Sequence, residues 1–137
     1  MLKYMLDTSI VIYVIKQRPI EALSYFNRYA NQICVSSITV AELYYGVEKS
    51  AYPDRNLSVV EDFLSRVIIL PYEPKAAAHF GNIKTHLSKI GNIIGENDIH
   101  IAAHCRSEGL VLVTNNMREF ERVEGLRLEN WVEEVNK

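Results

Sequence analysis

Positive charge in runs, long apolar stretches and cysteine are all in short supply in this chain. Lys and Arg number 15 against 17 Asp and Glu, a formal net charge of −2, and no polybasic tail gathers them. That excludes a general electrostatic grip on nucleic acid or on an anionic membrane, so any such contact must come from a local patch. No apolar run approaches the ~20 residues that span a bilayer, and Lys3 and Asp7 interrupt the N-terminal run a secretory leader needs. Two cysteines, Cys34 and Cys105, make neither a disulfide framework nor a metal-knuckle spacing. Both fall in apolar runs, as buried thiols of a reducing cytoplasm do. The expectation is a cytoplasmic protein without a membrane segment. What the chain does have is apolar content. At 48% hydrophobic over 137 residues it suffices for one domain with a real core, and is too short for two.

The hydrophobic pattern alternates between strand and helix. Tyr4–Leu6 is a short apolar run that Asp7 interrupts, and Thr8 or Ser9 can cap a helix through Ile10–Ile15. After Arg18-Pro19, the residues Ile20, Leu23, Phe26 and Ala30 recur at helical spacing. Ile33–Ser37 reads as a second strand, and Thr39-Val-Ala-Glu42 has the form of a capping box opening the next helix. A turn at Ala51–Asp54 leads to a helix carrying Leu57, Val60, Phe63, Leu64 and Val67. Val67–Leu70 reads as a third buried strand and Lys75–Ile90 as a long helix. Another helix runs from Glu96 to a stop at Gly109, followed by the clearest strand, Leu110–Thr114. A short helix over Arg118–Arg122, a weak edge strand at Leu126–Leu128 and Trp131 complete the pattern. This alternation predicts an α/β fold, a single domain over 1–137 with a parallel central sheet flanked by helices.

Acids gather at one edge of that sheet. Asp7 ends the first strand, Glu42 and Asp98 lie in the first turns of two helices, and Asn115, Asn116 and Glu119 follow the Leu110–Thr114 strand. Ligands of open α/β sheets bind at the carboxyl ends of the strands. Like charges about 4 Å apart repel by about 4 kcal/mol at an effective dielectric near 20, so such a group calls for cations or protons. Oxygen donors of this kind suit a hard, partly hydrated ion, Mg²⁺ or Mn²⁺, which can activate water against a phosphodiester. Taken singly, each acid also has a plain role: Asp7 as a helix cap, Glu42 closing its capping box, Asp98 complementing a helix dipole.

Four segments in order, Met5-Leu-Asp-Thr-Ser9, Ser37-Ile-Thr-Val-Ala-Glu42-Leu, Gly95-Glu-Asn-Asp98-Ile-His-Ile-Ala-Ala103 and Leu112-Val-Thr-Asn-Asn116-Met-Arg-Glu-Phe120, resemble the motifs of PIN-domain ribonucleases. The chain is similar to the VapC toxins of bacterial toxin–antitoxin modules from end to end. The resemblance implies a Mg²⁺-dependent endoribonuclease that cuts structured RNA, transfer RNA often among it. It also implies a chain that is commonly dimeric, held inactive by an antitoxin, and connected to DNA only through that antitoxin. Asp7, Glu42 and Asp98 match the family's metal-site acids. Ser9 stands where the family usually has Asn, and Asn116 where many members have a fourth Asp. Glu119, three residues on, is the expected fourth acid through an intervening water, with Asn116 orienting the nucleophile or substrate. Ser9, Thr114, Asn115 and Arg118 are expected to contact substrate.

Two competing readings use the same residues. Asp7 could be the nucleophile of a phosphoaspartyl phosphatase-like enzyme, although such enzymes carry a second Asp two residues on, where this chain has Ser9. Alternatively the chain is a non-catalytic partner escorting a DNA-binding antitoxin, which leaves the gathered acids unexplained. His100 and His104 share an i, i+4 spacing, but about 100° per residue turns both away from Asp98. Tyr44, Tyr45 and Tyr52, with Phe26 and Tyr29, are either ordinary half-buried aromatics or the lining of a groove for an antitoxin segment.

Overall fold

The computed structural model describes residues 1–132. Five strands, β1 (Tyr4–Leu6), β2 (Ile33–Ser36), β3 (Ile68–Leu70), β4 (Val111–Val113) and β5 (Arg127–Glu129), form one parallel sheet in the order β3-β2-β1-β4-β5. Between them run α1 (Thr8–Lys16), α2 (Ile20–Arg28), α3 (Ser37–Glu48), α4 (Pro53–Leu64), α5 (Pro74–Lys89), α6 (Glu96–Ser107) and α7 (Met117–Phe120). A single 3₁₀ turn at Ala30–Gln32 precedes β2.

Strand alternation divides the core in two. Tyr4, Leu6, Ile33, Val35, Val111 and Val113 face Ile10, Val14, Phe26, Phe63 and Trp131 on one side. Met5, Cys34 and Leu112 face Ile83, Leu87, Ile99, Ile101 and Phe120 on the other. Each fully buried large side chain contributes about 1.5–3 kcal/mol. Burial also pushes the Cys34 thiol up to about 12, so it stays protonated. Tyr4, Tyr25 and Tyr29 pack around Trp131 at centroid distances of 5.4, 5.5 and 6.0 Å. Phe26 is buried in this core, and Tyr29, partly buried, packs against it.

Three local readings need correction. Val67–Leu70 is not a buried strand: β3 lies at the sheet edge, leaving Ile68 53% and Ile69 42% exposed. The capping box at Thr39 is absent, because Ser36 caps α3 by accepting a 3.0 Å bond from Ile38 N. Thr39 is fully buried, and Glu42 moves from the first turn into the second. Finally, α7 ends at Phe120, so Arg122 lies beyond it.

The strand order reverses direction at β1, whose neighbours are β2 on one side and β4 on the other. In such sheets the crevice at the switch point, beyond the carboxyl ends of the strands, receives the ligand. Asp7 is the first residue past the end of β1.

Candidate active site

A cleft of about 640 Å³ opens at this switch point, its lining including Asp7, Ser9, Glu42, Asn97, Asp98 and Asn116. Asp7 is buried, with 4% of its surface exposed, and it rather than Thr8 or Ser9 caps α1. Its Oδ1 accepts from Ile10 N at 3.0 Å and from Ser9 Oγ at 2.7 Å. Its Oδ2 accepts from Thr114 Oγ1 at 2.5 Å. Burial raises the Asp7 carboxyl above the usual carboxylate range, against the lowering pull of these three donors. The cap role and the site role are thus held by the same carboxylate, with separate lone pairs available to each.

Glu42 is held from two sides. Thr8 Oγ1 donates to its Oε1, and Asn97 Nδ2 donates to its Oε2 at 3.1 Å. Thr8 Oγ1 also lies 3.3 Å from Thr39 Oγ1, which ties α1 to α3 beneath the cleft. Asp98, in the first turn of α6, is pushed up to about 8, first by burial, then by a hydrogen bond and repulsion from Glu119, then by the charges of Asp7 and Glu42. Asn116 Nδ2 donates to Glu119 Oε1 at 3.0 Å, so the amide and the acid stand together beside Asp98. Asp7, Glu42, Asp98 and Glu119 thus come from four chain segments and interact at one place.

Two expected substrate contacts are corrected. Thr114 is fully buried and its hydroxyl is committed to Asp7, with Asn116 N donating to the same oxygen at 2.9 Å. It positions Asp7 and cannot touch RNA. Asn115 turns away from the cleft, its Nδ2 donating to Tyr13 Oη at 3.1 Å. Ser9 does line the cleft, bonded to Asp7, while Arg118 is exposed and outside the lining. Thr8 and Asn97 are supports that the sequence reading missed. Asn97 sits next to Asp98 in the third motif, the one signal that could have singled it out.

Among the described residues no three acid, histidine or cysteine side chains form a ready-made metal cage. A hard, small ion keeps several waters and takes one or two protein carboxylates directly. The donor set fits: all-oxygen, with a carboxyl raised first by burial and then by the neighbouring acids, whose repulsion a cation relieves. His100 and His104 are engaged elsewhere, at Tyr72 Oη (2.7 Å) and Ser36 Oγ (2.8 Å).

Known proteins share this fold. Residues 4–126 match the PIN domain family. Ribonuclease VapC2 of Haemophilus influenzae (strain Rd) is 75% identical over 132 residues, covering 96% of this chain and 100% of that protein. The tRNA(fMet)-specific endonuclease VapC of Shigella flexneri is 51% identical over 131 residues, covering 96% and 99%. The crystal structure of DNA-bound VapBC from Salmonella typhimurium superimposes with a TM-score of 0.93 at 50% identity, covering 96% of this chain and 100% of that one. The phosphatase and non-catalytic alternatives fall with these matches. Asp7, buried and hydrogen-bonded through both oxygens, is also badly placed for in-line attack. With its acids at the switch point of a parallel five-stranded sheet and these relatives matched along nearly its whole length, the chain belongs to the PIN-domain family and, within it, to the VapC ribonucleases.

Proposed function

We propose that this single domain is a Mg²⁺-dependent endoribonuclease toxin acting on structured RNA, transfer RNA included, with Mn²⁺ as a substitute ion. One observation carries the reading: Asp7, Glu42 and Asp98 line one cleft with Glu119 hydrogen-bonded to Asp98 beside it, and burial followed by the neighbouring acids holds Asp98 at about 8. Asp7 and Asp98 would hold the ion, with Glu42 completing the oxygen set. The ion supplies an activated water and charge stabilisation at the phosphodiester. Asn116 orients the attacking water or the scissile phosphate, and Glu119 receives a proton through an intervening water. Ser9 and Thr114 fix the Asp7 carboxylate. The transfer-RNA assignment is supported by the 51% identity to the tRNA(fMet)-specific endonuclease VapC of Shigella flexneri. Incubating the chain with total RNA and Mg²⁺, then mapping the new ends, tests it. Unchanged cleavage in a chelator, or by the Asp7→Asn variant, would overturn it.

The resting state would be a cytoplasmic complex with an antitoxin, the toxin itself dimeric and DNA reached only through its partner. An apolar groove of about 340 Å³ next to the cleft supports this, lined by Ile12, Ile15, Leu43, Val47, Val59 and Val60. Such grooves take the apolar face of a partner helix, and an arginine alongside could reach the carboxylates and exclude the ion. Co-expression with the neighbouring small gene product should suppress cleavage and yield a co-purifying complex; two separate proteins and undiminished activity would remove this part.

A further inference from the structure

Tyr45 and Lys49 line the catalytic cleft but belong neither to its carboxylates nor to their supports. Glu42, Tyr45 and Lys49 follow at spacings of three and four along α3 and its C-cap, so they form one stripe on one helix face. The stripe begins at a carboxylate of the reaction centre and ends about 10 Å along the axis, at the helical rise of about 1.5 Å per residue. Leu43 and Val47 are the side chains by which α3 packs into the core. Tyr45 is therefore not used for packing, and 66% of its surface is exposed.

Lys49 Nζ lies 4.7 Å from the centroid of the Tyr45 ring. Among the described residues it pairs with no carboxylate, and no other cation lines the cleft. Arg122 is tied to the Ile93 carbonyl, and Arg118 stands outside. Gly46, between ring and ammonium in sequence, leaves the wall bare, because a Cβ there would meet nothing within 4 Å. The neighbouring apolar groove shares Glu42 and Gly46 with the cleft but contains neither Tyr45 nor Lys49, so these two side chains lie outside the surface proposed for the antitoxin.

An RNA strand with its scissile phosphate over the carboxylates must run its next nucleotide along a cleft wall. Every base offers a π-face for an aromatic ring, and every phosphate a negative charge for an ammonium. We infer that Tyr45 and Lys49 form a nucleotide subsite beside the reaction centre, Tyr45 stacking an unpaired base that flanks the scissile bond and Lys49 holding its phosphate. The inference rests on the ribonuclease reading. It also narrows the substrate: a base must be unstacked from its neighbours to lie on the ring, so the site selects loops and single strands over continuous helices.

The test uses the Asp7→Asn chain, which should bind without cutting, and a fluorescent 8-nucleotide single-stranded RNA followed by anisotropy. Tyr45→Ala should weaken binding by about 5- to 100-fold, and Tyr45→Phe should restore it, since stacking needs the ring and not the hydroxyl. Lys49→Gln should lower the slope of log K against log salt by about 0.7, one phosphate contact of a single strand. In the otherwise unaltered chain the loss in both variants should fall on KM rather than kcat. Binding unchanged in Tyr45→Ala and Lys49→Gln overturns the inference, as does a loss in Tyr45→Ala that Tyr45→Phe does not repair. So does an effect confined to antitoxin binding, which would make the stripe a protein contact. If the unaltered chain cuts no RNA with any divalent ion, the nuclease reading itself fails and takes the subsite with it.

Discussion

Thr114 Oγ1 donates a 2.5 Å hydrogen bond to Asp7 Oδ2, joining residues 107 positions apart just past the ends of the neighbouring strands β1 and β4. Both side chains are buried, so this bond sets where the carboxylate points and how strongly it holds its charge. Thr114→Val keeps the shape and removes the donor. It also strips the Asn116 amide of its acceptor, so the fold should lose about 1 kcal/mol. The ion concentration for half-maximal cleavage should rise by about ten- to a hundredfold, the usual cost of losing a group that orients a metal ligand. Thr114→Ser should restore it. A Mg²⁺ titration of the cleavage rate for the three proteins checks this, and coincident curves would leave Thr114 a packing residue only.

Asp7→Asn should lower cleavage by roughly a thousandfold or more, several kcal/mol in the transition state, because the amide removes one charge from the ion's surroundings. The substitution keeps an N-cap acceptor for Ile10 N, so α1 should remain folded. Burial raises the Asp7 carboxyl, so its charge is a burden on the metal-free fold. The variant should accordingly melt at a higher temperature than the parent without Mg²⁺, and gain less from adding it. A variant that melts lower in chelator would show that the charge is already compensated from within.

Asp98 gives a pH dependence whose sign is fixed by the direction of its shift. Its carboxyl titrates near 3.8 in the unfolded chain and at about 8 in the folded one, chiefly through burial and Glu119. The folded state therefore holds the proton more tightly. Stability is full below the unfolded value and is lost as pH rises through about 8. Without metal, the melting temperature should decline across that window. Mg²⁺ should flatten the decline, because a bound cation replaces the proton, and Asp98→Asn should reduce it to the share left by the raised Asp7 carboxyl. Scanning calorimetry from about pH 5 to about pH 9, with and without Mg²⁺, measures this. A melting temperature that climbs with pH in chelator would contradict the assignment.

How far the chain can be read without its fold differs from element to element. β4 is legible because four apolar residues, Leu110–Val113, follow Gly109, which takes a positive φ of 70° to end the preceding helix. Asp7 is legible because a carboxylate at the end of an apolar run is costly unless it has a use. The exposure of β3 is not, since Ile68 and Ile69 look like any buried strand until the strand order puts them at an edge. Ser36, Ser37 and Thr39 all offer a capping hydroxyl, and only the path of β2 decides for Ser36. The bonds that hold Glu42 are beyond local reading for a simpler reason. Thr8 and Asn97 lie 34 and 55 positions away, and no pattern of spacing announces them. Thr114, in the fourth motif, is expected to contact substrate. Only its burial shows that the hydroxyl points inward.

The fourth acidic position turns on Asn116 and Glu119, whose side chains meet at 3.0 Å. Asn116 is neutral and adds no charge to the ion's surroundings, but by donating to Glu119 Oε1 it holds that carboxylate beside Asp98. Glu119→Gln removes the charge, and with it part of the repulsion that keeps Asp98 protonated, so the two effects on the ion oppose each other. The lost charge should prevail, because Glu119 is one of several causes of the Asp98 shift while burial stands first among them. The Mg²⁺ requirement should then rise by about ten- to a hundredfold. Asn116→Ala leaves the charge and frees the Glu119 side chain, so it should lower turnover at saturating Mg²⁺ with a smaller change in the requirement itself. Asn116→Asp sets two like charges in place of a hydrogen bond, which should lower metal-free stability while tightening Mg²⁺. Mg²⁺ titrations of cleavage for the three variants, paired with melting curves in chelator, separate these outcomes. If Glu119→Gln follows the parent curve while Asn116→Ala displaces it, the amide oxygen is the ligand and Glu119 only its support.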